Sequence, residues 1–354
     1  MKLAVLQFAP ELGKVDANID RANKLIEQAM PGVMGVDWLI LPEMAFTGYN
    51  FPSAEAITPH LESTAAGITT KWAMATARFL NCHITAGYPE LCTEDSQPFN
   101  SDSPNGRCYN STITVSPTGQ VLANYRKSHL YYTDETWALP NPSRTPGPHF
   151  PESTAPHVLV GQAERTHPGP HAQGFYAGKL GALSEHPLLH ESPNISLGIC
   201  MDINPHRFLA PWTAYEFANH CLQNNTKLVA VSMAWLTRLE KGELEELPYQ
   251  PDLETLTYWL ERFHPLRTAG AAGVNPQGRA MQEGQASSRG SNDGFVVVCA
   301  NRCGSEGEAC YAGTSCAVGF QGGRTSVWGV LGKCEEKVLV VDLSQRPQFA
   351  LEDG

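Results

Sequence analysis

Positive charge is scarce in this sequence of 354 residues, which has 25 Lys and Arg against 36 Asp and Glu and a net charge of −11. Proteins bind nucleic acids through clustered Lys and Arg side chains, and no basic stripe with interleaved aromatic residues is present. We therefore exclude a nucleic-acid partner. An acidic surface mainly favours solubility, with mild attraction for cationic ligands.

Long hydrophobic runs are also absent, although 42% of the residues are hydrophobic. No apolar stretch approaches the roughly 20 residues that a membrane-spanning helix needs. The first ten residues, MKLAVLQFAP, are typical of a strand and have neither a positively charged start nor a small-residue cleavage site. We expect no membrane association and no secretion, and hence a location in the cytoplasm, with the nucleus left open.

Cysteine pairs at zinc-ligand spacing are missing. The ten cysteines are spread over the whole length, unlike the dense disulfide framework of a small secreted domain. The histidines between residues 140 and 193 have no tight ligand spacing, and the glycine-rich stretch 270–294 matches no phosphate-binding fingerprint. We expect reduced cysteines, no bound metal ion and no nucleotide.

Apolar strands alternate with amphipathic helices, and this β-α-β order predicts an α/β fold class. From Pro140 to Pro193, Pro, His, Gly and Ser accumulate and the periodicity is lost, so we interpret this stretch as an insertion. Length alone would allow two domains, but we expect one domain, residues 1–354. The predicted strands are 3–8, 38–41, 83–88, 109–115, 120–125, 228–233, 295–300, 314–320 and 337–341, and the predicted helices are 16–30, 69–80, 212–223 and 253–263.

Three reactive side chains follow predicted strands. Cys200 ends an apolar run in SLGICMDINPHRF, Glu43 follows a buried strand in LILPEMAFTGYNF, and Lys127 follows a hairpin in YRKSHLYYTDETW. A thiol just beyond a strand end is well placed to act as a nucleophile. Each residue also has a structural interpretation: Cys200 as a core thiol, Glu43 as a solvated loop acid and Lys127 as a surface cation.

The same three stretches resemble the signature segments of the nitrilase, or carbon-nitrogen hydrolase, superfamily, in the same order. The resemblance implies a four-layer α-β-β-α sandwich and a catalytic triad of Glu43, Lys127 and Cys200. A second supporting glutamate is frequent in the family shortly after the lysine. Glu135 fits that place, although the neighbouring Asp134 leaves the assignment open.

The segments TGYNF, RKSHLYYTDE and GICMDINP are most similar to those of fungal amidases that act on Asn and Gln at protein N-termini. This resemblance implies a role in the N-degron pathway. Amide hydrolysis needs a nucleophile, a base that later serves as an acid, and donors for the developing oxyanion. We assign these roles to Cys200, to Glu43, and to Lys127 with the backbone N–H of Met201. This chemistry requires no metal or organic cofactor.

An N-terminal amidase must also bind the free α-ammonium group of its substrate, which calls for a carboxylate close to the nucleophile. Asp202 is the first candidate, with Asp134 and Glu216 behind it; Asp202 capping the following turn is the alternative. The expected partners are peptides or proteins that begin with Asn or Gln, and a monomer and a homodimer both remain open. Two other functions are kept: a small-molecule amidase or nitrilase of the same superfamily, and an inactive scaffold.

Overall fold

The computed structural model describes residues 1–92, 107–142, 174–179, 181, 193–269 and 294–352. Most of the insertion predicted at 140–193 and the glycine-rich stretch up to residue 293 lie outside these residues. No helix in the described part of the chain is long and apolar enough to cross a membrane.

Two seven-stranded sheets form the centre of the fold, with one short hairpin beside them. The strands are β1 Lys2–Gln7, β2 Trp38–Ile40, β3 Glu62–Ser63, β4 His83–Cys92, β5 Arg107–Val115, β6 Val121–Arg126, β7 Tyr176–Gly178, β8 Asn194–Ile199, β9 Thr226–Met233, β10 Phe295–Asn301, β11 Ser305–Glu306, β12 Ala309–Cys310, β13 Cys316–Gln321, β14 Arg324–Val330, β15 Lys337–Asp342 and β16 Phe349–Glu352. The first sheet has the order β15-β1-β2-β4-β5-β6, with β3 beside β4, and the second has the order β16-β14-β13-β10-β9-β8-β7.

The central strands of both sheets are parallel. β1, β2 and β4 form the parallel centre of the first sheet, and β8, β9 and β10 form that of the second. Parallel strands are covered on both faces, so their residues are apolar almost without interruption. In β1, Leu3 and Val5 pack in the core shared with the second sheet, whereas Ala4 and Leu6 pack in the core on the other face.

Helices cover the outer face of each sheet. The α-helices of the described residues are α1 Val15–Gln28, α2 Ala54–Ile57, α3 Ile68–Leu80, α4 Glu216–Gln223, α5 Lys241–Glu246, α6 Leu253–Arg262 and α7 His264–Thr268. α1 and α3 pack on the first sheet, and α4, α6 and α7 pack on the second. The result is the four-layer α-β-β-α sandwich that the resemblance implied, so the expected fold class is confirmed.

Most predicted elements are confirmed to within a few residues, and two of them differ. The helix predicted at 212–223 begins only at Glu216, because Tyr215 has a left-handed backbone with φ of +44°. The stretch interpreted as an insertion also contributes to the sheet: β7 pairs antiparallel with β8 at its edge. Phe175, just before β7, is buried, and its ring contacts Phe217 and His220 of α4.

The two sheets meet closely where the reactive residues lie. The Ser232 hydroxyl on β9 donates to the Leu41 carbonyl, which follows β2, at 2.8 Å. On β4, Gly87 leaves room for the chain that follows β2: a Cβ atom at this position would lie 2.7 Å from Cα of Glu43. The segment that includes Glu43 is therefore pressed between the two sheets.

Candidate active site

Glu43, Lys127 and Cys200 meet just beyond the ends of three strands. Glu43 follows β2, Lys127 directly follows β6, and Cys200 directly follows β8. Nζ of Lys127 lies 2.6 Å from Oε1 of Glu43. The backbone N–H of Ala234, just after β9, donates to Oε2 of Glu43 at 2.8 Å. The charges of Glu43 and Lys127 both act on the Cys200 thiol, as does the backbone of Ala234.

Cys200 lies at a sharp bend of the backbone. Its φ of +42° is in the left-handed region, directly after the extended residue Ile199. Such a conformation costs a non-glycine residue about 1–3 kcal/mol and is found mostly where the surrounding structure imposes it. The bend ends β8 and starts a turn of 3-10 helix over Cys200–Ile203. It brings the thiol to the wall of a cavity instead of continuing into the sheet.

A fully buried network fixes the charged groups. Oε1 of Glu43 accepts hydrogen bonds from Lys127 and, at 2.7 Å, from Nδ2 of Asn110. Nζ of Lys127 also donates to Oδ2 of Asp134 at 2.6 Å, and Asn110 donates to Oδ1 of Asp134 at 2.9 Å. One ammonium group is thus shared by two carboxylates. Buried charges persist only when they are paired and hydrogen-bonded in this way.

Burial sets the protonation of the site. It raises the pKa of the Cys200 thiol well above its ordinary value, and the charge of Glu43 raises that pKa further, against the opposing effect of Lys127. Burial also raises the pKa of Glu43, although Lys127 offsets part of the shift. For Lys127, burial alone would lower the pKa, but the charges of Asp134 and Glu43 outweigh it and raise the pKa. A neutral thiol therefore lies beside a carboxyl group and a permanent cation.

The structure corrects the expectation for Glu135. Its side chain is 40% exposed, and its ion-pair partner among the described residues is Arg207, at 3.7 Å. Asp134 is the residue that points inward to Lys127. Both lie in the 3-10 turn Asp134–Thr136, where adjacent side chains point in different directions, so only one of them can face the site.

The structure also corrects the expectation for Asp202. The side chain is fully buried and accepts four hydrogen bonds: from the Ser128 and His129 N–H groups at 3.0 and 2.8 Å, from the Tyr125 hydroxyl at 2.7 Å and from the Ile199 N–H at 2.8 Å. With these donors its acceptor sites are filled. Asp202 ties the chain after Lys127 to the strand end before Cys200 and is not placed to bind a substrate ammonium group.

A cavity of about 470 Å³ opens at the thiol. Met201 lines it together with Cys200, whereas Asp134, Asp202 and Glu216 are not among the described residues that do so. Glu216 instead accepts a hydrogen bond from the His206 N–H at 3.1 Å. The carboxylates in the lining are Asp252 and Glu254, which the sequence analysis did not single out. The remaining lining residues are Tyr49, Tyr131, Asn204, Phe208, Ala234, Trp235, Leu236, Arg238, Thr255 and Tyr258.

Residues 2–208 match the family model of carbon-nitrogen hydrolases. The chain belongs to this family. It is 30% identical to the protein N-terminal amidase of Schizosaccharomyces pombe over 98% of its own length and 100% of that protein. It is 28% identical to the protein N-terminal amidase of Saccharomyces cerevisiae, over 67% of its own length and 45% of that protein.

Solved structures share the fold of this carbon-nitrogen hydrolase. A crystal structure of an N-terminal amidase with a Gln-Gly peptide superposes with a TM-score of 0.71 at 20% identity and covers 96% of each chain. An amidase of the nitrilase superfamily from Nesterenkonia superposes with a TM-score of 0.56 at 18% identity, covering 97% of this chain and 91% of its own. The fold therefore extends beyond residue 208, over the part of the chain that the family model does not match.

Sequence reasoning missed several residues that shape the site of this carbon-nitrogen hydrolase. Asn110 and Ala234 bind Glu43, and Tyr49 and Asp252 line the cavity. Asp252 precedes a helical pattern and was open to identification as an N-cap, which it is: its carboxylate accepts from the Thr255 N–H at 3.1 Å. Tyr49 lies within a signature segment, but no spacing rule distinguishes a cavity-lining tyrosine from one in the core.

Proposed function

We propose that this chain hydrolyses the side-chain amide of an N-terminal Asn or Gln in proteins and peptides and releases ammonia. The observation on which the proposal depends is the position of a buried thiol, carboxyl group and ammonium group at a cavity whose wall also includes carboxylates. The match to the Schizosaccharomyces pombe N-terminal amidase over nearly both full lengths supports the same substrate class. Solved N-terminal amidases with Gln-Gly and Asn-Glu peptides have this fold.

The proposed reaction has two halves. Glu43 takes the thiol proton of Cys200 as the sulfur bonds to the amide carbon, and the carbonyl electron pair moves to oxygen. Lys127 and the Met201 N–H stabilise this oxyanion. When the carbonyl re-forms, the carbon–nitrogen bond breaks, Glu43 returns its proton to nitrogen, and ammonia leaves a thioester on Cys200.

Water completes the cycle. Glu43 takes a proton from the water molecule as its oxygen attacks the thioester carbon. The tetrahedral intermediate then expels the sulfur, which regains the proton from Glu43, and the product Asp or Glu is released. The new carboxylate faces the charge of Glu43, and this repulsion favours release of the acid over the amide.

We further propose that Asp252 and Glu254 provide the negative charge for the α-ammonium group, in place of Asp202, Asp134 and Glu216. Glu254 is 67% exposed and is paired with Arg238 at 2.8 Å. Asp252 is nearly buried, with hydrogen bonds from Thr237 and from Thr255. Arg238 in the same lining balances one of these two charges, so the two carboxylates leave the cavity wall with one net negative charge, which a free amino group would complement.

Residues 1–354 form one carbon-nitrogen hydrolase domain in this proposal, because the Ala234 N–H binds Glu43 from the second half of the chain. None of the ten cysteines, all of which lie in the described part of the chain, is in a disulfide bond. Cysteines without disulfide bonds fit a reducing compartment, and we propose the cytoplasm, with the nucleus as the second location.

A peptide panel that varies only the first residue tests the substrate assignment, with mass spectrometry to detect conversion of amide to acid. We expect conversion of Asn- and Gln-initiated peptides, none of internal Asn or Gln, and a collapse of turnover when the first nitrogen is acetylated. Equal turnover of the acetylated peptide would instead support a general amidase.

Cysteine variants test whether the chain is an enzyme of the proposed type. Cys200→Ala should abolish ammonia release, because residues that act as one unit lose nearly all activity singly. Cys82→Ala is the matched control, since Cys82 is also buried but packs in the core between the first sheet and its helices. Retained activity in Cys200→Ala would refute the thioester mechanism, and an inactive wild type would support a scaffold.

A further inference from the structure

Tyr49 is a buried residue of the cavity wall whose hydroxyl group has no partner. It lines the same cavity as Cys200 and is only 3% exposed. Among the described residues, none hydrogen-bonds to its Oη. Buried hydroxyl groups nearly always have a partner, because an unpaired one loses the hydrogen bonds that it would make to water.

Other buried tyrosines of the chain show the usual arrangement. The Tyr88 hydroxyl donates to Asn124 at 2.6 Å, that of Tyr125 to Asp202 at 2.7 Å and that of Tyr311 to Glu306 at 2.6 Å. Tyr49 is therefore an exception in a chain that pairs its buried phenols. An exception at the wall of a reactive cavity is expected where the missing partner is a ligand.

The backbone around Tyr49 is held firmly by the short hairpin of β11 and β12, which carries Glu306. The Glu306 carboxylate accepts hydrogen bonds from the N–H groups of Tyr49, at 3.1 Å, and Asn50, at 2.8 Å. Arg302 pairs with the same carboxylate at 2.6 Å and is fully buried. Gly48 has φ of +78°, and a Cβ atom there would lie 2.5 Å from Glu306. The ring is thus fixed before any substrate arrives.

The Tyr49 hydroxyl lies near the proposed catalytic groups and stays protonated. Burial raises the pKa of Tyr49 well above its ordinary value, and the charges of Asp134, Glu43 and Cys200 raise it further. Nζ of Lys127 lies 5.6 Å from the centroid of the ring. A phenol that keeps its proton is a hydrogen-bond donor, and its natural partner is a carbonyl oxygen.

We propose that the Tyr49 hydroxyl donates a hydrogen bond to the oxygen of the side-chain amide that Cys200 attacks. The oxygen becomes more negative as the tetrahedral intermediate forms, so this donor acts with Lys127 and the Met201 N–H. The identity of the substrate rests on the proposed function, whereas the role of the hydroxyl holds for any amide bound at Cys200.

Tyr49→Phe tests the proposal, because it removes only the hydroxyl and keeps the ring over Lys127. We expect kcat/KM for a Gln-initiated peptide to fall about 100-fold, as for other oxyanion donors. The melting temperature should stay the same or rise, since an unpaired polar atom is removed from the interior. The rate at which methyl methanethiosulfonate modifies Cys200 should not change.

Tyr88→Phe is the matched control. Its hydroxyl donates to Asn124 and accepts from the Ala65 N–H at 3.1 Å. Its loss should lower the melting temperature and leave kcat/KM unchanged, the reverse of the pattern expected for Tyr49→Phe.

Two results would overturn the proposal: a Tyr49→Phe variant with more than half of the wild-type kcat/KM, or one in which thermal stability and thiol modification fall together with activity. The same measurements on propionamide separate this proposal from the proposed function. If the wild-type protein hydrolyses propionamide but no N-terminal Asn or Gln, the proposed function fails. The role of Tyr49 is then tested by the loss of kcat/KM for propionamide in Tyr49→Phe.

Discussion

Replacing Asp134 by Asn should impair the site severely, because Asp134 is one of the two carboxylates that neutralise the buried Lys127. Its oxygens accept three hydrogen bonds, from Lys127, Asn110 and the Tyr131 N–H. An Asn side chain keeps only one acceptor oxygen, and its NH2 group would face one of the N–H donors that now bind the carboxylate. Removing one partner of a buried ion pair costs about 3–5 kcal/mol. Since Glu43 remains, we expect the lower value, about 3 kcal/mol, which for a chain of this length lowers the melting temperature by about 4 °C.

Activity should fall for a separate reason. The charge of Asp134 raises the pKa of Glu43, so the variant has a weaker base that is also bound more tightly by Lys127. We expect kcat/KM to fall at least about 100-fold, within the range for general acid–base catalysis. The acidic limb of the pH profile of kcat/KM should move to lower pH, because the pKa of Glu43 falls. A purely structural role would not move that limb.

Glu135→Gln is the control one residue away. Glu135 and Arg207 are both largely exposed, and exposed pairs of this kind contribute roughly 0–1 kcal/mol. We expect wild-type kinetics and an unchanged melting temperature, measured by the same ammonia-release and thermal-unfolding assays. If Glu135→Gln lost the activity and Asp134→Asn kept it, the assignment of the two acids would be reversed.

Two further predictions follow from buried groups near the site. Asp202→Asn places an amide N–H group among the donors that now bind the carboxylate, so we expect the free energy of unfolding to fall by about 2–3 kcal/mol. We also expect kcat to fall by a larger factor than KM rises, with Glu216→Gln as the control. A rise in KM alone would restore Asp202 as a substrate ligand. Burial, followed by the charge of His206, lowers the pKa of His129 to about 3. Below pH 6.5 the unfolded chain therefore binds one more proton than the folded chain, and the free energy of unfolding falls by about 2 kcal/mol between pH 7 and pH 5. Denaturant unfolding of His129→Asn should show a smaller loss over the same range, and an equal loss would contradict the assignment.

The positions of the strand ends could be predicted from the sequence. Glu43, Lys127 and Cys200 each follow an apolar run that is interrupted at once by Pro, Ser or Asp, and the structure places all three just beyond strands. The direction in which each side chain points after the strand end could not be predicted. Asp134 and Glu135 are adjacent in one 3-10 turn, and only the packing against Asn110 decides which of them faces Lys127.

Long-range contacts set the rest of the site. Asp202 was expected at the surface of the cavity because it closely follows Cys200, but its donors Tyr125, Ser128 and His129 come from another strand end. The carboxylates that do line the cavity belong to a helix start 50 residues later. Local patterns contain no information about such contacts, since they depend on how the two sheets are stacked.

The contact between Glu306 and the Tyr49 loop has a consequence for synthesis of the chain. The two residues are 257 positions apart, and Glu43 also depends on the Ala234 N–H. When the first 208 residues have been synthesised, Glu43, Lys127 and Cys200 are all present, yet neither contact can form. The Cys200 thiol of the nascent chain therefore stays unreactive until Ala234 and Glu306 have been synthesised and packed. We expect deamidation activity to appear only after that point.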